Sequence, residues 1–496
     1  MRLRMFMAVV GSLLVCLCVV AAEPSDRNST NERGVAPSAS DHAWVSAAEQ
    51  QRWDLVRESL AGDRVNVDAS QPDGMTALHW AAYHNHSRTI TALVAAGAEV
   101  DAETLYQVTP LSLACEYGNL RAVRALLDAG ADANAARRGG ESPLMLAARQ
   151  GNANVVGSLI KAGADMEDKE ARGQTALMWA SAAGNLDAVD ALIEAGCNVD
   201  TTLQQSGLSA LMFAARHGQS AVVMRLLDAG LDVNTVAKPK RSGGRNPRSG
   251  MSAMMFAIES GHLQLACDLV RRGADPNDQR SGYAPLHAIT WVRKTELGDN
   301  PEGDPAPRIT GSIHSLDFVR QMVEMGADVN LQLNNGKSRG QRLNPKGATP
   351  FFLASRGADI ELMTLLLELG SDPTIPNDDG TTALMAAAGV GVIAVGEEPG
   401  TPEEVDRAIE MLVDLEIDPN VVDRNRETAM HGAALRTFPT AVRKLTSVGA
   451  RPEIWNHKNK RGWTPLDIAG GKRPGSVKPS PPTIEALKEA IEASSF

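Results

Sequence analysis

Histidine, methionine and carboxylate are the side chains here whose types and spacing suggest chemistry. His84 and His86 stand two residues apart, which is half of a metal site. A structural zinc site needs four ligands, and no others stand nearby in sequence. Met145, Met178, Met212, Met255 and Met385 recur at one position of a repeated pattern. A row of thioethers is a ligand set that Cu(I) favours. The plainer reading is packing, because Met fills irregular gaps between helices. Trp80, Trp179, Phe213 and Phe256 follow one residue later in the same pattern and are expected in the core. Asp and Glu number 60. Many recur at segment ends, where Asp and Asn serve turns. No Gly-x-Ser-x-Gly, no Gly-x-x-x-x-Gly-Lys-Ser/Thr and no His-Glu-x-x-His occurs. The expectation is no catalytic residue, no metal site and no cofactor. The alternative is an accessory subunit of an exported redox or metal enzyme, with the Met and His positions at the metal.

What positions these residues is a repeat. A Ser or Thr, then Ala or Pro, then a large apolar residue recurs about every 33 residues. It stands at Thr76-Ala77-Leu78, Thr109-Pro110-Leu111, Ser142-Pro143-Leu144, Thr175-Ala176-Leu177, Ser209-Ala210-Leu211 and Ser252-Ala253-Met254. It continues at Thr349-Pro350-Phe351, Thr382-Ala383-Leu384, Thr428-Ala429-Met430 and Thr464-Pro465-Leu466, with a weaker copy at Ala284-Pro285-Leu286. Residues 109–141 are typical. Thr109 is a good N-cap, and Pro110 costs nothing at the first helical position. Gly118-Asn119 ends that helix. A second helix runs from about Leu120 to Ala129, with Val123, Leu126 and Leu127 on one side. Gly130 suits a left-handed closing turn. Ala131-Asp132-Ala133-Asn134 then forms an extended finger. Units of this kind bury their apolar faces only by stacking.

The Thr-Pro-Leu-His-type start, the mid-unit Gly and the Gly-Ala-Asp-x-Asn end resemble the ankyrin repeat. That end stands at Gly130–Asn134, Gly273–Asn277 and Gly326–Asn330. The resemblance implies an all-α ankyrin-repeat solenoid of about 11 repeats with degenerate caps. Its divisions are 1–22 (signal peptide), 23–41 (disordered leader), 42–72 (degenerate capping repeat), 73–470 (ankyrin repeats), 471–482 (linker) and 483–496 (C-terminal capping helix). The late repeats, with long inserts and Gly462–Ala469, are similar to a group of exported bacterial ankyrin proteins. In ankyrin repeats the fourth-position His holds the Thr hydroxyl and a neighbouring backbone group. His79 and His431 have that Thr, whereas His287 follows Ala284. The resemblance also implies a concave contact face of fingers and first helices.

Arg2 and Arg4, the apolar run Met5–Val20 and the small residues Ala21-Ala22 read as an export signal. Beyond that segment Cys115, Cys197 and Cys267 remain, in the second, fourth and sixth units. They are expected to be too far apart to bridge. With 49 basic against 60 acidic residues the chain is acidic, which disfavours bulk nucleic-acid binding.

Four stretches depart from the unit. Fingers lengthen at 235–250 and 331–347, and helix–helix turns lengthen at 294–312 and 391–404. The first finger insert holds Lys238, Lys240, Arg241, Arg245 and Arg248 without an acid. The second holds Lys337, Arg339, Arg342 and Lys346 without an acid, and Arg280 lies on the finger between. The helix-turn inserts lean acidic, with Glu296, Asp299, Glu302, Asp304, Glu397, Glu398, Glu403 and Glu404. This predicts a basic finger edge on the C-terminal half, facing another protein or anionic macromolecule at close range. No stable membrane span is expected, and the destination is periplasmic or secreted.

Overall fold

The computed structural model describes residues 39–61, 65–241, 247–295, 307–336, 343–393, 395–396, 398–473 and 478–493. Residues 1–38, which take in the expected signal peptide and most of the expected leader, lie outside them. In chain order the helices are α1 (Ala39–Glu49), α2 (Trp53–Leu60), α3 (Ala77–Tyr83), α4 (Ser87–Ala95), α5 (Pro110–Glu116), α6 (Leu120–Asp128), α7 (Pro143–Gln150) and α8 (Ala153–Lys161). Then come α9 (Ala176–Ala183), α10 (Leu186–Glu194), α11 (Ala210–Arg216), α12 (Ser220–Asp228), α13 (Ala253–Glu259), α14 (Leu263–Arg271), α15 (Pro285–Arg293) and α16 (Ser315–Glu324). The rest are α17 (Pro350–Arg356), α18 (Ile360–Glu368), α19 (Ala383–Ala388), α20 (Pro402–Asp414), α21 (Ala429–Arg436), α22 (Pro439–Ser447), α23 (Pro452–Trp455), α24 (Pro465–Ala469) and α25 (Pro481–Ala493). Among the described residues there is no strand; isolated antiparallel bridges such as Val236 to Ser252 close finger bases.

The repeated Ser or Thr explains where each first helix starts. Thr109 Oγ1 accepts from Ser112 N–H at 3.1 Å, and Ser112 Oγ accepts from Thr109 N–H at 3.0 Å. Two of the terminal donors that would lack an intrahelical partner are thereby satisfied. The second helix closes on a left-handed glycine, as at Gly130 with φ of 90°. Its backbone there is open on all sides, so glycine is favoured by the dihedral and not by crowding.

First helices pack on first helices from α1 through α24, and second helices pack on second helices through most of the stack. The contact runs through small side chains: Ala81, Ala114, Ala147, Ala180, Ala214 and Ala257 are fully buried. One apolar cluster extends from Trp44 to Ala490, with a small second cluster around Leu333, Ala348, Phe352 and Ala386. A core continuous along the whole array is what a stack requires when no unit buries its apolar face alone. No described helix is long and apolar enough to cross a membrane.

Candidate interaction surface

A first helix turns through about 100° per residue, which sorts its side chains onto two faces. In α3 Ala77, Leu78, His79, Ala81 and Ala82 are buried, and they span one arc. Trp80 and Tyr83 fall outside that arc and stand together on the open side, half-buried. The same two positions hold Leu113 and Glu116 in α5, Phe213 and Arg216 in α11, and Leu353 and Arg356 in α17. Trp80, Trp179 and Phe213, expected in the core, are therefore half-buried on the open face; only Phe256 is buried, at 7% exposure. The period-3.6 arrangement of Trp80 and Tyr83 was the available sign.

Aromatic groups gather at the N-terminal end of this face. The Tyr83 and Tyr117 rings meet edge-on at 4.6 Å, and Trp80 meets Tyr83 at 5.8 Å. Tyr117 is 50% exposed, and Leu105 and Tyr106 on the adjoining finger are 71% and 67% exposed. Farther along, the Arg149 guanidinium lies over the Trp179 ring at 5.0 Å. Glu116 sits between Arg137 at 2.7 Å and Arg149 at 3.2 Å. Tyr, Trp and Arg are the residue types that dominate binding at protein interfaces.

The histidines at the fourth position are structural. His79 Nε2–H donates to Val108 O at 2.9 Å, while Nδ1 accepts from Thr76 N–H at 3.2 Å and the Thr76 hydroxyl at 2.8 Å. It thus clasps the chain entering the next unit. His431 does the same with Thr428 and with His457 O at 3.2 Å. His287 keeps its bond to Ala348 O at 3.2 Å, but its Nδ1 has no partner because Ala284 lacks a hydroxyl.

Burial holds both His287 and His431 at about 4, against an ordinary 6.5. Both are neutral in the fold, so the unfolded chain takes up protons first as pH falls below 6.5. Stability is then lost between the ordinary value and about 4. At pH 5 each histidine is expected to cost about 2 kcal/mol relative to pH 7.5. Carboxylates raised by burial, such as Glu259 and Glu427, act in the opposite sense. The comparison is therefore with His287→Gln: the drop in urea-unfolding free energy between the two pH values should shrink by about 2 kcal/mol.

His84 and His86 pack against Trp53, at ring separations of 5.9 and 4.5 Å, and bond to Glu49 O and the Thr89 hydroxyl. Among the described residues no group of three or more His, Cys, Asp or Glu is placed to hold a metal. The five fourth-position methionines are at most 1% exposed, in the helix contacts. Cys115, Cys197 and Cys267 are free thiols. Burial pushes all three up, Cys197 and Cys267 to about 11, so none is a ready nucleophile.

The predicted basic edge divides into two kinds of residue. Arg248 pairs with Glu259 and lies 5.7 Å from the Tyr283 ring. Arg280 makes two bonds to Asp278, at 2.8 and 2.9 Å. Lys346 pairs with Asp378 at 2.7 Å. Lys238, Lys240 and Arg241 are exposed, with no described carboxylate at ion-pair distance. Their hairpin is set beside the preceding finger by Lys240 N–H donating to Gln205 O at 2.9 Å. Arg245, Lys337, Arg339 and Arg342 lie outside the described residues, as do Glu296, Asp299, Glu302, Asp304 and Glu397.

One role escaped the reading of the turns. The Asn that ends a finger also bonds to the next unit. Asn134 accepts from Asp165 N–H at 2.8 Å and donates to Gly163 O at 3.1 Å. Asn234, Asn277, Asn330 and Asn420 repeat both bonds with the glycine and third residue of the following turn. This ladder locks neighbouring fingers and fixes the spacing of the open face.

Comparison with known proteins agrees with this geometry. The family model described as "Ankyrin repeats (3 copies)" matches residues 44–137, 144–237 and 201–280. Ankyrin repeat and SOCS box protein 16 of Mus musculus is 30% identical over 121 residues, covering 24% of this chain and 25% of that protein. The chain thus spans about a quarter of the length of that relative. Over these residues the helix pairs, capped starts and clasping fingers are similar to ankyrin repeats, a unit that generally mediates protein–protein interaction.

Proposed function

We propose that the chain is a non-enzymatic ankyrin-repeat scaffold that binds another protein outside the cytoplasm. The observation that carries this reading is the open stripe of the first helices: Trp80, Tyr83, Tyr117, Arg149, Trp179 and Phe213 on a frame whose spacing is locked. A rigid frame lowers the ordering cost of binding, so several side chains act together without a chemical step. The export pattern of residues 1–22 supports a periplasmic or secreted destination. Lys238, Lys240 and Arg241 add an attraction for an acidic patch on the partner, because their charge is not spent within the chain.

The test of that addition is Lys238→Ser, Lys240→Ser and Arg241→Ser together. Three exposed ion pairs at about 0.2–1 kcal/mol each predict about a tenfold loss of affinity for the partner captured from an envelope fraction at low salt. At high salt the variant and the parent should converge. Equal affinity at both salt concentrations would remove the basic edge from the account and leave the open face.

A further inference from the structure

A cavity of about 420 Å³ lies where the turn between α1 and α2 meets the turn between α3 and α4. Arg52, Trp53, Asp54 and Arg57 line it from one side, and His86 and Arg88 from the other. That volume is in the range of small-ligand sites.

The three arginines are exposed, so their charges are open to solvent at the cavity. Arg57 pairs with Asp54 within α2. Arg52 and Arg88 have no described carboxylate at ion-pair distance. Of the neighbouring acids, Glu49 bonds to Gln71 at 2.8 Å, and neither it nor Glu58 lines the cavity. Outside the described residues, Asp63 has Arg64 beside it, and Glu23, Asp26 and Glu32 have Arg27 and Arg33 among them. The His86 ring lies flat on Trp53, at 4.5 Å and 11°. Its Nδ1 is bonded to the Thr89 hydroxyl at 2.7 Å, so Nε2 is the nitrogen left for a ligand. Burial, then the charges of Arg57 and Arg88, holds His86 below its ordinary value, which shows that both cations act on one spot.

We infer that this cavity binds the phosphate group of a phosphate monoester, held by the guanidinium groups of Arg52 and Arg88 with His86 Nε2 beside them. Three arginines against one carboxylate leave an excess of two positive charges at the lining. A phosphate monoester carries about 1.5 to 2 negative charges at neutral pH, whereas a carboxylate carries one. Guanidinium forks also match phosphate oxygens two at a time. α2 and α4 both start at the cavity, with Arg52 and His86 as N-caps, and no side chain caps either start. Their first N–H groups add to the attraction for an anion. The monoester comes from a soluble phosphate compound or from a lipid headgroup, and the chemistry of recognition is the same. The inference does not depend on the open face, which lies on other residues.

The experiment uses the full chain with ¹³C-labelled histidine at low salt. Inorganic phosphate is expected to shift the His86 signal saturably at about millimolar concentration, with acetate binding about tenfold more weakly. Arg52→Gln with Arg88→Gln, both at exposed positions, should keep the thermal melt and bind phosphate at least about tenfold more weakly. Sedimentation with phosphatidylcholine vesicles, with and without phosphatidic acid, separates the two sources. Binding that needs phosphatidic acid and is lost in the double variant assigns the site to a lipid headgroup, and any other result to a soluble phosphate compound. Absence of a saturable His86 shift from phosphate, equal binding of phosphate and acetate, or unweakened phosphate binding by the folded double variant would each overturn the proposal. The comparison of phosphate with acetate needs only the parent chain and stands even if the variant fails to fold.

Discussion

Arg436→Ala is expected to destabilise the C-terminal part of the stack by about 2–4 kcal/mol, because two backbone carbonyls lose their charged donor. Arg436 is the most buried arginine described, at 3% exposure. Burial pulls it down to about 10, and it therefore remains charged at neutral pH. Its guanidinium ties the turn at Pro399 to the end of α17 through two carbonyls and lies 5.8 Å from the Phe438 ring. Its stem passes over Gly389, where a Cβ would come within 2.5 Å of Arg436 Cγ. Truncation would leave two carbonyls without donors and Glu398 short of a neighbouring cation. Arg443→Ala is the control. That residue is 53% exposed and pairs with Glu489 at 3.2 Å, so its loss should cost less than about 1 kcal/mol. Hydrogen exchange is the suitable readout, because neighbouring units in a stack open locally. Amides of α19 and α21 should lose protection in Arg436→Ala while those of α5 to α8 do not.

How much of this was legible depended on the range of each interaction. The Thr109 and Ser142 starts, the Gly130 closure and the packed methionines follow from local pattern, because caps and helix faces are decided within a few residues. The His79 clasp was legible through the family resemblance, and the missing Thr before His287 correctly marked an incomplete one. Trp80 and Trp179 were misplaced because size and apolarity suggest burial, whereas the turn of a short helix puts that position on its open side. The Asn277 bonds to Asp328 and Gly326 and the Lys294 pair with Glu404 join residues far apart in sequence. No periodicity encodes the Lys294 pair, whereas the Asn bonds recur with the Gly-Ala-Asp-x-Asn end, whose Asn suggests only a local turn. Charge counting likewise did not separate Arg248 and Arg280, which are neutralised by Glu259 and Asp278, from the exposed Lys238 and Lys240.

The second large effect concerns binding. Tyr117→Ala and Trp179→Ala should each weaken the captured partner by about 2 kcal/mol, near thirtyfold, which is the scale of an aromatic hot spot. Tyr117 is half-exposed, so its removal spares the core; Trp179 is half-buried, and its melt must be recorded beside its affinity. Arg124→Ala, at an exposed position on α6, tests the second-helix face. The most direct measurement is the affinity of these three chains for one purified partner at fixed salt. The open-face account predicts large losses for Tyr117→Ala and Trp179→Ala and none for Arg124→Ala. Unchanged affinity in both aromatic variants, with a loss in Arg124→Ala, would place the contact on the second helices and contradict it.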